Sequence, residues 1–285
     1  MNSATSLACG KYQLNLSSPI VMGVLNTTPD SFSDGGSYYL RDHLDIELAL
    51  KRAQQMLSEG AAIIDVGGES TRPGAVPITT QQELERVVPV VEALVGRFDV
   101  PVSVDTSTPE VMTAAATVGA ALINDVRALR RPGALAAAAA TGLPVCLMHM
   151  QGEPGSMQQQ PQYTDVVSDV RAFFDERIAA AVHAGITREH LVLDPGFGFG
   201  KTLAHNLTLL RELKTFEDYQ LPLLVGLSRK SMLAALLDRP VDQRLPGSLA
   251  LALEAITRGA QIIRVHDVAA TIDVIKIHQA LASAV

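Results

Sequence analysis

Eight times along this chain a short apolar run, rich in Val, Ile and Leu, stops abruptly at a polar or ionisable residue, and stretches of helical character separate the stops. The stops are Asn26, Gly68-Glu69-Ser70, Asp105, Asn124-Asp125, His149, Asp194, Ser228-Arg229-Lys230 and His266-Asp267. Strand then helix, repeated in this way, predicts an α/β fold of the (β/α)8 TIM-barrel class, whose enzymes carry their chemistry at the C-terminal ends of the strands. The stops are therefore a first list of active-site candidates.

A chain of 285 residues matches one such barrel, so residues 1–285 are read as a single domain. With 47% hydrophobic residues, 4% aromatics and no Trp, the interior has to be built from Val, Ile, Leu and Ala. The most apolar stretch, residues 134–148, is interrupted by Thr141, Gly142 and Pro144 and is too short to span a bilayer. No membrane is expected. A formal net charge of -7 with scattered Lys and Arg argues against nucleic acid as a partner, so an anionic ligand must be held by cations that converge locally. Two cysteines, Cys9 and Cys146, are too few for a disulfide framework, and the N-terminus carries no export signal. A cytoplasmic location is expected.

The strand candidates are residues 20–25, 62–66, 102–104, 121–123, 144–148, 191–193, 223–225 and 262–265. Several are unbroken apolar runs, as a parallel sheet covered on both faces requires. Helices are predicted over 44–58, closing at Glu59-Gly60, over 80–95, closing at Gly96, and over 164–184, the longest, with Asp165 as a cap and Thr187 capping a short turn after it. Residues before Pro19 predict a short hairpin plugging the barrel floor. Two connections, 27–41 and 67–79, are long and rich in Gly, Pro and Ser and are read as rim loops that close over substrate. The Gln-rich segment 151–162 fits either a rim loop or a solvated connector.

Two familiar phosphate motifs fail at Asp194-Pro-Gly-Phe-Gly-Phe-Gly-Lys201-Thr202. A Walker A loop needs Gly where Pro195 stands, and the spacing Gly196-x-Gly198-x-Gly200 is not that of a dinucleotide fingerprint. What remains is a flexible loop leaving the sixth strand, with the Asp194 carboxylate in the barrel mouth and the Phe199 ring beside it. His149 and His266 lack the close imidazole spacing of a zinc site. A transient Mg2+ held by Asn26 and ligand phosphates fits better, because Mg2+ takes few protein ligands. Asp105, Asn124, Asp194 and Lys230 combine two acceptor-only carboxylates, a two-faced amide and a compact cation. That set suits a flat heterocycle carrying ring N–H groups, an amino group and a carbonyl. Arg264, beside His266, adds a guanidinium that can stack on a ring or pair with phosphate. The alternative is a structural network in which these charges only pair among themselves.

The strings Gly23-Val-Leu-Asn26-Thr-Thr-Pro-Asp30-Ser-Phe-Ser-Asp34-Gly-Gly36, Gly68-Glu-Ser-Thr71-Arg72-Pro73-Gly74, Val104-Asp105-Thr, Ile123-Asn124-Asp125, Met148-His-Met150, Asp194 to Thr202, Gly226-Leu-Ser-Arg-Lys230-Ser231 and Arg264-Val-His266-Asp-Val268 resemble the dihydropteroate synthase family, in order and over nearly the whole chain. The resemblance implies a barrel that condenses 6-hydroxymethyl-7,8-dihydropterin diphosphate with p-aminobenzoate in folate synthesis, is inhibited by sulfonamides, uses Mg2+ and forms a homodimer. It implies that Asp105, Asn124, Asp194 and Lys230 hold the pterin edges, with Arg264 on its face and Met148 beneath. Asn26 would contact Mg2+ and diphosphate, approached also by Arg72, Arg264 and His266. Thr71, Arg72, Pro73, Phe199, Lys230 and Ser231 would complete the aminobenzoate pocket. Asp105, Lys230, Arg264 and His266 are the expected catalytic residues. Two rivals are a methyltetrahydrofolate methyltransferase barrel, which has no need of the Thr-Pro-Asp-Ser-Phe-Ser-Asp and Ser-Thr-Arg-Pro-Gly loops, and a non-catalytic pterin-binding relative, against which intact loops argue.

Overall fold

The computed structural model describes residues 5–28, 39–40, 43–70, 77–153 and 155–284. Eight parallel strands follow one another around a barrel: Ile20–Asn26, Ile63–Gly67, Val102–Asp105, Leu122–Asp125, Val145–Met148, Leu191–Asp194, Leu224–Val225 and Ile262–Val265. Strands adjacent in sequence are adjacent in the sheet, and the eighth pairs with the first. The sheet closes between the sixth and seventh strands at a parallel bridge, Leu193 to Leu223, where the Leu193 N–H donates to the Pro222 carbonyl at 2.9 Å. Closure removes the edges that an open sheet would leave unpaired.

Strand periodicity sorts the side chains. Val21 and Leu25, Ile64 and Val66, Val102 and Val104, Val145 and Leu147 face the surrounding helices in one large apolar core. Their alternates point inward, and at the N-terminal end Met22, Ile63, Leu122, Cys146, Val192, Leu224 and Ile262 form an apolar floor. The expected hairpin, Ser6–Cys9 against Tyr12–Asn15, turns at Gly10 (φ 57°) and adds Leu7, Cys9, Leu14 and Leu16 to that floor. Both cysteines are thus buried and free, and burial pushes the Cys9 thiol up to about 12.

The helices follow their capping signals, with four departures from the sequence reading. Helix α1 is Ile46–Ser58, beginning two residues later than expected because Asp45 caps it by accepting from the Leu48 N–H at 3.1 Å, while His43–Leu44 pair with Tyr39–Leu40. It stops at Glu59-Gly60, with Gly60 at φ 106°. Helix α2, Thr80–Arg97, runs through Gly96 and ends at Phe98, whose N–H reaches the Leu94 carbonyl. The exposed Gly96 meets no neighbour that would force a left-handed stop, and Arg97 complements the helix dipole. The helix Val166–His183 carries the Asp165 cap on the Ser168 N–H at 2.7 Å, but at 18 residues it only equals α2. Thr187 precedes the short turn Arg188–His190 without a side-chain cap bond. No described helix is long and apolar enough to cross a membrane.

On the outer core Phe174, fully buried, meets Phe216 and Tyr219 edge-on at centroid distances of 5.7 and 6.0 Å. Removing so large a buried ring leaves a cavity that a closed barrel cannot collapse around. Phe174→Ala should lower unfolding stability by about 3–5 kcal/mol in urea titration monitored by circular dichroism. A loss below about 1 kcal/mol would mean that the ring stack bears no load.

Candidate active site

Two residues beyond four of the seven apolar floor residues, the inward face of the barrel turns polar. Ile63 is followed by Asp65, Leu122 by Asn124, Val192 by Asp194 and Ile262 by Arg264, and one further step brings His266. A cavity of about 420 Å³ opens here, lined among others by Asn26, Asp105, Phe199, Lys230, Ser231, Arg264 and His266. A deeper recess adds Asn124, Met148 and Asp194. Ten of the expected site residues therefore converge. The other three, Thr71, Arg72 and Pro73, lie outside the described residues, as does most of the first long loop.

The charges are arranged around Arg264. Its Nε donates to Asp65 Oδ2 and its Nη2 to Asp105 Oδ2, both at 2.7 Å, and Asn124 Nδ2 donates to the same Asp65 oxygen at 3.1 Å. Burial lifts the Asp105 carboxyl to about 7, against the pull of Arg264. Asp194 is also raised by burial, although its Oδ1 accepts from the Gly196 N–H at 2.7 Å. Burial pushes the Lys230 ammonium down to about 8, with Asp194 opposing, and its Nζ stands 4.1 Å from the centre of the Phe199 ring. His266 is driven down to about 3 by burial and the nearby Arg264, so it is a neutral imidazole at pH 7, and its Nδ1 lies 3.1 Å from Ser228 Oγ. The deep end thus offers acceptors, the Lys230 ammonium and the carboxylate-paired Arg264 guanidinium to a polar ring, while the mouth offers neutral and cationic groups suited to phosphate.

Alternation also explains which strand-end candidates stay out. Asn124 points in, so Asp125 points out, where it accepts from Ser107 Oγ and, at 2.8 and 2.7 Å, from the N–H groups of Arg127 and Leu129. Met148 points in, so His149 points out and meets Lys201 Nζ through Nδ1 at 2.8 Å. Burial drives this imidazole down to about 2. His266 points in, so Asp267 turns to Arg229, accepting at 2.9 and 2.5 Å. That pair holds Arg229 at φ 58°, a left-handed backbone that bulky residues rarely adopt, between the pocket-lining Ser228 and Lys230.

The loop after the sixth strand is clamped rather than slack. Gly196, Gly198 and Gly200 adopt φ of 68, 79 and 60°, and Lys201 folds back to donate to the carbonyls of Gly196 at 2.8 Å and Phe199 at 3.1 Å. Burial lowers this ammonium to about 7. The clamp fixes Phe199, which joins Val126, Met148, Met150 and Met157 in an apolar wall. The Gln-rich segment is a rim loop: Met157 and Gln158 line the cavity, and Gln158 Nε2 donates to the Gly198 carbonyl. At the foot of the second long loop Glu69 pairs with Arg127 at 3.0 Å.

Sequence reasoning missed Asp65, Lys201 and Gln158 as contributors to the site. A lone Asp inside the run Ile63-Ile64-Asp65-Val66 was the available signal for the first, since an unpaired carboxylate is costly there. The other two had none, because nothing local says which way a loop folds back.

The pterin binding enzyme family matches residues 22–266 of this chain, which sets the class: a barrel that binds a pterin. Dihydropteroate synthase of Escherichia coli K12 is 56% identical over 271 residues, covering 95% of this chain and 94% of the relative. That of Haemophilus influenzae is 55% identical, covering 95% and 97%. Among solved structures, the Yersinia pestis dihydropteroate synthase with a sulfonamide drug superposes with a TM-score of 0.94 at 56% identity, covering 98% of this chain and 100% of that one. The Xanthomonas albilineans enzyme in complex with 7,8-dihydropteroate gives 0.88 at 46% identity, with the same coverage. The chain belongs to the dihydropteroate synthase family.

A Cβ at Gly196 would collide with the His149 carbonyl oxygen, and the residue's φ is left-handed besides. Gly196→Ala should therefore displace the loop and Phe199, lowering kcat/KM at least about tenfold while the barrel still melts cooperatively. Steady-state kinetics beside a thermal melt check this, and wild-type kinetics would contradict it.

Proposed function

We propose that this enzyme condenses 6-hydroxymethyl-7,8-dihydropterin diphosphate with p-aminobenzoate, giving 7,8-dihydropteroate and diphosphate, a step in folate synthesis. The observation that carries the reading is the two-ended cavity, with Asp105, Asn124, Asp194 and Lys230 at the deep end and Asn26, Arg264, His266 and Ser231 toward the mouth. Acceptor-only carboxylates match the amino and ring N–H groups of a pterin, and Lys230 matches a ring carbonyl or nitrogen. The reaction breaks the bond from the pterin methylene carbon to the diphosphate oxygen and forms one to the aniline nitrogen, which then loses a proton. Electron release from the dihydropterin ring stabilises a developing carbocation, and Asp105 favours the positive charge that spreads onto the ring. Arg264 and the neutral His266, with Arg72 of the second loop, draw the diphosphate away. No covalent nucleophile is needed.

Mg2+ fits the donor set: the Asn26 carboxamide is a hard neutral oxygen at the cavity wall, and this metal is content with few protein ligands when phosphate supplies the rest. When bound it neutralises charge on the leaving diphosphate. Ser231 opens the helix Ser231–Leu237, so its hydroxyl and free backbone N–H suit the aminobenzoate carboxylate, with the Phe199 ring alongside. Sulfonamides share that anionic aniline shape and would compete there. Thr71, Arg72 and Pro73, which lie outside the described residues, are the further candidates for the aminobenzoate site. A homodimer is supported by the exposed Leu236, Leu253, Ile277 and Leu281 on the last three helices, and a cytoplasmic location by two free thiols.

If bond cleavage leads, single-turnover runs without aminobenzoate should show slow diphosphate release. Ser231→Ala should keep that rate and raise the aminobenzoate KM, whereas His266→Ala and Arg72→Ala should slow release itself. Parallel loss of release in Ser231→Ala would point to concerted displacement instead, and a wild-type enzyme that releases no diphosphate with or without aminobenzoate would overturn the proposal.

Pterin binding should also depend on pH with two limbs. Asp105 must be ionised to accept N–H bonds and sits at about 7 in the ligand-free site, while Lys230 must be charged and sits at about 8. Calorimetric affinity for the pterin should fall as Asp105 takes a proton toward about pH 5.5 and again as Lys230 loses one toward about pH 9.5. A flat profile would mean that neither charge contributes to binding.

A further inference from the structure

Beneath the cavity lies a carboxylate that does not line it. Asp65 is fully buried and does not line the recess bounded by Asp105, Asn124, Asp194 and Lys230. Its Oδ2 accepts from two donors at once, Arg264 Nε at 2.7 Å and Asn124 Nδ2 at 3.1 Å. These donors come from the eighth and fourth strands, which are not neighbours in the sheet, so no ladder hydrogen bond sets their relation. We infer that Asp65 is a positioning residue for pterin recognition, one whose single oxygen orients the Asn124 amide and the Arg264 guanidinium together.

The amide of Asn124 has two faces of nearly the same shape, an acceptor and a donor, and a rigid heterocycle is read only if their order is fixed. A carboxylate is acceptor-only, so Asp65 compels the NH2 toward itself and leaves Asn124 Oδ1 to accept a ring N–H. The same oxygen holds the Nε corner of the guanidinium while Asp105 holds Nη2 at 2.7 Å, which fixes the plane of the fork as well as its place. The other oxygen of Asp65 is not used in this way. Asp65 Oδ1, and Ser103 Oγ at the matching register position of the next strand, are buried with no hydrogen-bond partner among the described residues. A carboxylate retained for stability would have both oxygens paired, because each unpaired one is a cost. What Oδ2 aligns is the return on that cost.

The inference rests on the pterin reading, and the test separates the two. Binding of 6-hydroxymethyl-7,8-dihydropterin is measured by calorimetry for wild type, Asp65→Asn, Asn124→Ala and the double variant, with aminobenzoate KM from turnover. Asp65→Asn should weaken pterin binding about tenfold or more, as loss of charged hydrogen bonds does, while aminobenzoate KM stays within about twofold. Because Asp65 acts partly through Asn124, adding Asp65→Asn to Asn124→Ala should cost clearly less than it does alone. Fully additive losses, a parallel rise in aminobenzoate KM, or unchanged pterin affinity would each overturn the inference. A wild-type enzyme that binds no pterin would instead overturn the functional reading. Should Asp65→Asn not fold, the wild-type protein still answers: the Arg264 Nε–H resonance, assigned by its loss in Arg264→Lys, should exchange slowly before ligand is added. Rapid exchange with water would show that Asp65 does not hold it.

Discussion

A guanidinium held between two carboxylates inside a barrel is the constraint around which the rest of this molecule is arranged. Arg264 reaches Asp65 and Asp105 at equal distances of 2.7 Å, from a strand that borders neither of theirs. Taking such charges from water is expensive, and the arrangement survives because each donor meets an acceptor in good geometry. It also requires a dry base. The floor of Met22, Ile63, Leu122, Cys146, Val192, Leu224 and Ile262, sealed from below by the Ser6–Cys9 hairpin, supplies one. Ligand and water then enter from the other end, and burial in the cavity shifts the proton affinities of Asp105, Lys230 and His266.

Around that centre, loops are held by polar groups that never face the cavity. Lys201 gathers loop carbonyls behind Phe199, Asp125 binds the backbone after the fourth strand, and Arg177 donates to the carbonyls of Ala128 and Leu129 at 2.9 and 3.3 Å, where the chain turns left-handed without glycine. Glu83, fully inside α2, accepts from Thr106 and Thr108 at 2.5 and 2.6 Å just beyond Asp105. These contacts spend no atoms on substrate. They hold the catalytic rim stiff enough that its side chains keep their places before any ligand arrives, which is where much of an enzyme's rate advantage originates.

Much of this was legible in the chain. Eight apolar runs ending in polar residues are the eight strands, and Asp165, Gly60 and the hairpin before Pro19 did what their residue types dictate. Where the reading failed, a tertiary choice intervened. Gly96 is a helix stop only if something favours a left-handed turn, and on an exposed last turn nothing does. His149 marks a strand end as clearly as Asp194, yet one residue of offset places it among the helices, where its ring and that of Phe173 meet nearly perpendicular at a centroid distance of 4.8 Å. The loop 194–201 looks mobile by composition, and Lys201 makes it rigid.

The sequence by itself determined the fold class, the family and most of the residues that meet in the cavity, because strand periodicity and strand-end chemistry are local and repeat along the chain. Only the tertiary structure decided how those residues share their charges. That Asp65 serves Arg264 and Asn124 together, that His266 is neutral and Lys230 only weakly held in its charged form, depends on groups 59 to 199 positions apart in sequence meeting in a space from which water is excluded. Coulomb interactions and desolvation act through distance and burial, and neither is a property of neighbours along a chain.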